Sequence, residues 1–102
     1  MGEKLVGAAR KTALHELHGW FEVADRDAIR KAYHFGTFLE AWGFLSQVAL
    51  LAERLGHHPE IFNLANHVEL ALTTDEADGL TDRDVQFARA VDELTPLLQR
   101  GG

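Results

Sequence analysis

The stretch Gly56-His57-His58-Pro59-Glu60 decides the reading of this chain, because one periodicity ends there and another begins. Before it, from the capping sequence Thr37-Phe38-Leu39-Glu40, apolar residues recur at helical spacing: Phe38, Ala41, Trp42, Leu45, Val48, Ala49, Ala52 and Leu55. Gly56 then stops the helix, as a glycine able to close the last turn does. After it, Ile61 to Leu64 and His67 to Thr74 read as a hairpin around Asn66, with Val68, Leu70 and Leu72 facing inward and His67 and Glu69 outward. His57 and His58 therefore project from the junction of a helix and a strand, with Pro59 fixing the backbone direction. Imidazoles suit proton transfer near neutral pH, so the run reads as one wall of a polar pocket.

Outward from that junction the other elements fall into place. Leu5, Ala9, Ala13, Leu14 and Leu17 predict an amphipathic helix over residues 4–17, ended by Gly19. Trp20 to Val23 and Ala28 to Phe35 predict two strands joined at Asp25-Arg26-Asp27, with Ile29, Tyr33 and Phe35 on one face. The Thr37 hydroxyl and Glu40 carboxylate are expected to satisfy N–H groups that the first turn of the long helix leaves free. Thr81-Asp82-Arg83-Asp84 repeats that capping pattern, with Leu80 as a staple and Val85, Ala88, Val91 and Leu94 as the buried stripe of a last helix that frays before Gly101-Gly102. The order helix, two strands, helix, two strands, helix gives an α+β fold: a four-stranded antiparallel sheet with three helices on one face, as one domain over residues 1–102.

Composition narrows the function classes. At 102 residues, with 46% hydrophobic and 25% charged side chains, the chain has room for one core, and chains this short often gain stability from self-association. No cysteine is present, which removes disulfides and thiol chemistry and fits a reducing, cytoplasmic setting. The net charge of −6 disfavours direct nucleic-acid binding, which needs a basic patch. No apolar leader follows Met1, and no run of about 18 apolar residues predicts a membrane span.

Several features taken together resemble the pterin-4a-carbinolamine dehydratases, in register with the predicted elements from Trp20 through Leu94. They are Gly19-Trp20, Phe35-x-x-Phe38, Ala49-x-x-Ala52-Glu53, His57-His58-Pro59-Glu60, Asn63 with Asn66, and Gly79-Leu80-Thr81-x-x-Asp84. The resemblance implies removal of water from 4a-hydroxytetrahydropterin to give quinonoid dihydropterin, without metal or cofactor, in the recycling of tetrahydrobiopterin. It assigns catalysis to His57, His58 and the residue at position 75. Pterin contact falls to Trp20, Glu53, Pro59, Ala65, Thr74, Glu76 and Asp84, with Trp20 near the pocket. It also implies dimers or tetramers formed through sheet and helices. Some relatives act as assembly factors or as dimerisation partners of homeodomain proteins, so a protein partner is a second implication.

The sequence departs from that family around the second hairpin. Ala65 stands where an aromatic residue is usual and Asp75 where a third histidine or a tryptophan is usual; Ile61 and Asp78 replace an aromatic and a small residue. An ionised aspartate is a poor acid, and loss of an aromatic removes a stacking surface and leaves a hole to be filled, so pterin binding and turnover are expected to weaken. Natural divergence and deliberate engineering both produce such a pattern. Three readings follow: a dehydratase in which Asp75 substitutes for histidine, a binding or assembly protein without turnover, and a repurposed scaffold. Elsewhere the readings are plain. His15 and His18 are surface histidines, Phe38, Trp42 and Leu45 are core, and Asp75, Glu76 and Asp78 form a solvated turn rather than a cation site.

Overall fold

Val68, Leu70 and Leu72 are fully buried, while Glu69 and Ala71 between them are not, so strand β4 (His67–Leu72) has one dry face and one open face. Such burial is worth roughly 1.5–3 kcal/mol per side chain, which pins the register: a slip of one residue would turn all three outward. Ile29 and Tyr33 do the same for β2 (Ile29–His34), and the two strands pair antiparallel with His34 opposite His67. β1 (Phe21–Glu22) and β3 (Glu60–Leu64) flank them, giving the order β1-β2-β4-β3 with every pair antiparallel. This computed structural model describes residues 3–98, with side chains described through residue 94. The expected fraying before Gly101-Gly102 lies outside the described residues.

Three helices complete the α+β order: α1 (Gly7–His15), α2 (Phe38–Leu55) and α3 (Asp82–Leu98). Helix α1 is shorter than its periodicity predicts. At its start, Lys4 bridges Thr81 and the Leu5 N–H donates to the Leu80 carbonyl, so this backbone is held extended against the start of α3. At its end the Leu17 N–H closes a tight turn on Leu14, which buries Leu17 outside the helix. Helix α2 starts at its expected cap, the Thr37 hydroxyl accepting from the Glu40 N–H at 3.0 Å. The Glu40 carboxylate reaches the Gly36 N–H, one residue before the cap. At its other end Gly56 closes the helix in the left-handed region, φ 65°.

The buried face of α2 differs from the stripe read off the sequence. Ala41, Leu45, Val48 and Ala52 are buried as expected, but they are joined by Phe44 and Leu51. Phe38, Trp42, Ala49 and Leu55 are exposed, Trp42 at 49% and Phe38 at 56%, so Phe38 and Trp42 are not core. The helix is apolar around most of its circumference, and helical period alone does not say which side meets the sheet. In α3, likewise, Phe87 joins Val85, Ala88 and Val91 in the core, and Leu94 packs at its margin. Among the described residues no helix is long and apolar enough to cross a membrane.

Candidate active site

The C-terminus of α2 delivers the histidine pair. Gly56 and His57 both turn their N–H groups back to the Ala52 carbonyl, which reverses the chain and places the two imidazoles on opposite terms with solvent. His57 is buried and His58 is exposed.

His57 packs edge-on to Phe87, ring centroids 6.1 Å apart, and its Nε2 lies 2.6 Å from Asp84 Oδ1. Asp84 is fully buried in the first turn of α3, and its other oxygen accepts from the Thr81 N–H at 2.9 Å and the Thr74 hydroxyl at 2.7 Å. With the Thr74 proton committed to Asp84, Thr81 donates its own hydroxyl proton to Thr74 Oγ1 at 2.8 Å. Thr81 Oγ1 in turn accepts from the Arg83 N–H at 3.2 Å. Three donors thus converge on one buried carboxylate, which satisfies it and fixes its orientation. A His57 that donates Nε2–H to Asp84 keeps Nδ1 as its proton acceptor, the tautomer a general base requires.

Around His57 opens a cleft of about 200 Å³ lined by Gly56, His57, His58, Thr73, Asp75, Glu76 and Arg83. Asp75 and Glu76 begin a single 3₁₀ turn, Asp75–Ala77, whose end residue Asp78 adopts the left-handed region at φ 58°. The expected solvated turn is therefore a defined piece of structure. Arg83 braces its side of the cleft, donating to the Gly56 carbonyl and standing 3.8 Å from Glu76. His58 Nε2 lies 3.3 Å from Glu53 Oε2, with both side chains mostly in solvent, so this pair orients His58 only weakly. Among the described residues no three histidine, aspartate or glutamate side chains converge as a metal centre.

Within the single chain, His57, His58, Asp75 and Glu76 share this cleft, Glu53 stands beside His58, and Thr74 and Asp84 lie behind it as the buried support of His57. Pro59 is half-buried at the turn into β3. Glu60, the last residue of the diagnostic run, leaves the wall altogether. It points to the open face of the sheet and pairs with Arg26 through two hydrogen bonds, one of 2.7 Å, which hold its carboxyl below the usual carboxylate range.

Trp20 and Ala65 do not line this cleft. Trp20 is buried and donates its indole N–H to Asp92 of α3 at 3.1 Å, lining a separate depression with Arg10, Leu14 and Ile29. Ala65 occupies the β3–β4 turn with φ 53°, at the far end of the hairpin from Glu60. It is exposed, so no hole is left by its small side chain. Asn63 and Asn66 hold that turn: Asn63 donates to the Ala65 and His67 carbonyls at 3.0 Å each, and Asn66 to the Phe35 carbonyl at 2.6 Å.

Sequence reasoning passed over Arg83, Thr73 and Phe87. Arg83 lies inside the quoted capping sequence and Phe87 falls one turn beyond Asp84, so helical spacing from Asp84 would have found the His57 contact.

A family model described as pterin 4 alpha carbinolamine dehydratase matches residues 3–94. A Burkholderia orbicola protein named "Putative pterin-4-alpha-carbinolamine dehydratase" is 46% identical over 101 residues, covering 99% of each chain. A Paraburkholderia xenovorans protein of the same name is 43% identical over 95 residues, covering 93% of this chain and 99% of the relative. Among solved structures, a transcriptional coactivator/pterin dehydratase from Brucella melitensis superposes with a TM-score of 0.86 at 39% identity, over 90% of this chain and 98% of the other. A pterin dehydratase-like protein identified as a RuBisCO assembly factor in the alpha-carboxysome superposes with a TM-score of 0.66 at 29% identity, over 76% of this chain and 89% of the other.

Proposed function

Because this chain belongs to the pterin 4 alpha carbinolamine dehydratase family, we propose that it carries a dehydratase site in which one half is intact and the other is weakened. The observation that carries this reading is the buried His57–Asp84 contact, which leaves His57 Nδ1 as a base at the edge of the cleft. In the proposed reaction His57 takes the ring proton of 4a-hydroxytetrahydropterin. The C4a–O bond breaks, and the hydroxyl leaves as water with a proton that exposed and weakly oriented His58 supplies in place of a histidine at position 75. Asp75 occupies the position of the third histidine, and a carboxylate is a poorer match than an imidazole for the general acid of this step, so turnover is slow or lost. Thr74 and Asp84 position His57, while Glu53, Pro59 and Glu76 border the pterin. At about 200 Å³ the cleft is smaller than the roughly 300–1,000 Å³ usual for small-molecule sites, and a role for Trp20 or Ala65 in ligand contact would need a second copy.

The test is the dehydration rate of the wild type beside its Asp75→His and His57→Ala variants. Asp75→His should raise the rate at least about tenfold, since a matched general acid contributes on the order of 10²-fold or more. His57→Ala should bring the rate to that of buffer. Equal rates in wild type and Asp75→His would remove Asp75 as the weak point.

A second reading, a binding or assembly role, is favoured by the outer side of α2. Phe38, Leu39, Trp42, Ala49 and Leu50 are exposed there, an apolar strip that a lone soluble helix would not be expected to leave uncovered. A second copy of the chain, as dimer or tetramer, is the first occupant to test, and another protein the next. The structural likeness to an assembly factor supports the same reading. A cytoplasmic setting, without membrane or nucleic-acid partners, fits the absence of cysteine and the acidic charge.

A further inference from the structure

On the open face of the sheet, far from the cleft in the topology, His34 and His67 are cross-strand partners at the ends of β2 and β4. His34 Nε2 and His67 Nδ1 lie 3.0 Å apart, and the ring centroids are 4.5 Å apart. The opposite nitrogen of His67, Nε2, lies 2.8 Å from Glu69 Oε2. A carboxylate can only accept, so His67 carries its proton on Nε2 and presents the bare Nδ1 lone pair towards His34. The Glu69 carboxyl is held below the usual carboxylate range, first by this hydrogen bond. Phe62 stands edge-on to His67 at 6.1 Å, and His34 is exposed to solvent.

We propose that His34 and His67 form a bidentate clip for a divalent transition ion of the imidazole-preferring kind, Cu²⁺ or Zn²⁺, with Glu69 as the carboxylate that orients His67. With metal–nitrogen bonds of about 2.0–2.1 Å, two imidazole nitrogens on one ion sit roughly 2.9 Å apart at a right angle and about 3.4 Å at the tetrahedral angle. The observed 3.0 Å falls inside that interval without any movement of the strands. In the metal-free pair the 3.0 Å contact is a hydrogen bond from His34 Nε2–H to His67 Nδ1; moving the His34 proton to its Nδ1 and turning the two rings brings both lone pairs onto one ion. The carboxylate–histidine–metal arrangement is the usual way a protein fixes a ligating tautomer. Because no three such side chains converge among the described residues, water completes the coordination sphere and access is open from solvent. Arg30, 3.5 Å from the other oxygen of Glu69, is the neighbouring cation, and its charge moderates the affinity.

The experiment is a Cu²⁺ titration of the full chain by calorimetry, with electron paramagnetic resonance to count coordinated nitrogens. The tightest equivalent should show two imidazole nitrogens, weaken at least tenfold in both His34→Ala and His67→Ala, and weaken on the order of tenfold in Glu69→Gln. Since His34 is exposed, its variant keeps the fold, checked by an unchanged urea midpoint, and decides the matter even where His67→Ala is unstable. Retention of full affinity in His34→Ala, or loss of the tightest equivalent in the His15→Ala/His18→Ala double variant or in His58→Ala instead, would overturn the assignment.

Discussion

Asp84 Oδ1 stands 2.6 Å from His57 Nε2, and the carboxylate that makes this contact is fully buried. The first turn of α3 and the end of α2 are thereby joined by a hydrogen bond that also sets the chemistry of the imidazole. Replacing Asp84 by Asn leaves one acceptor oxygen for the Thr81 N–H and the Thr74 hydroxyl, and turns an amide donor towards His57. His57 must then move its proton to Nδ1, which nitrogen-15 NMR of the ring reads directly. Stability should fall by about 1–3 kcal/mol in urea denaturation, the cost of an imperfectly satisfied buried group. An Asp84→Asn protein with unchanged stability and an unchanged tautomer would remove Asp84 from its positioning role.

Tyr33, the single tyrosine of the chain, is buried between Phe35 and Phe44 with no hydrogen-bond partner for its hydroxyl among the described residues. Burial, with the Asp92 carboxylate adding to it, pushes the phenol well above the ordinary tyrosine range. A raised folded-state value means that the unfolded chain loses its proton first. Stability is therefore intact below about pH 10 and falls as the pH climbs above it. Absorbance at alkaline pH should show no phenolate until the protein unfolds. Tyr33→Phe removes an unpaired polar atom, so it should leave stability unchanged or raise it by up to about 1 kcal/mol and flatten the alkaline decline.

Gly79 is needed for space. A Cβ at this position would lie 2.2 Å from Asp27 Oδ2 and 2.5 Å from Lys4 Cε. Asp27 is not free to yield, since it pairs with Arg10 at 2.8 Å and accepts from the Leu80 N–H at 3.3 Å. Gly79→Ala should cost about 1–3 kcal/mol, as overpacking does, measured as a lower urea midpoint with an unchanged slope. A midpoint equal to wild type would show that Asp27 and Lys4 move aside freely.

The outer side of α2 gives the test of association. Trp42 is 49% and Leu50 64% exposed, and neither belongs to the buried core cluster, so Trp42→Glu and Leu50→Glu should change monomer stability by no more than about 0.5 kcal/mol. If this strip is where copies meet, both variants should sediment as smaller species than wild type. Identical sedimentation coefficients would place the contact elsewhere.

Alternation and capping made much of the fold legible in the sequence. Ile29, Tyr33, Val68, Leu70 and Leu72 announced their buried face because a strand has only two sides, and the period of two names one of them. Helix α2 offered no such choice. With Phe38, Leu39, Trp42, Phe44, Leu50 and Leu51 spread around it, its rotation is decided by the sheet it packs on, which is not a property of the helix. The site divides in the same way. His57 and His58, read from the helix–strand junction, and Asp75, implied by the family resemblance, come to one cleft, whereas Trp20 and Ala65, implied by the same resemblance, stand apart from it within the single chain.

The sequence by itself determined the order of elements, both capping turns, the helix stop at Gly56 and the identity of the family, because each is a local pattern written over a few consecutive residues. Tertiary structure alone decided that His57 is buried against Asp84 while its neighbour His58 faces solvent, and that Glu60 turns away to Arg26. It also decided that His34 meets His67 across two strands. Each of these depends on which side of an element meets another segment distant in the chain, and backbone periodicity carries no record of that.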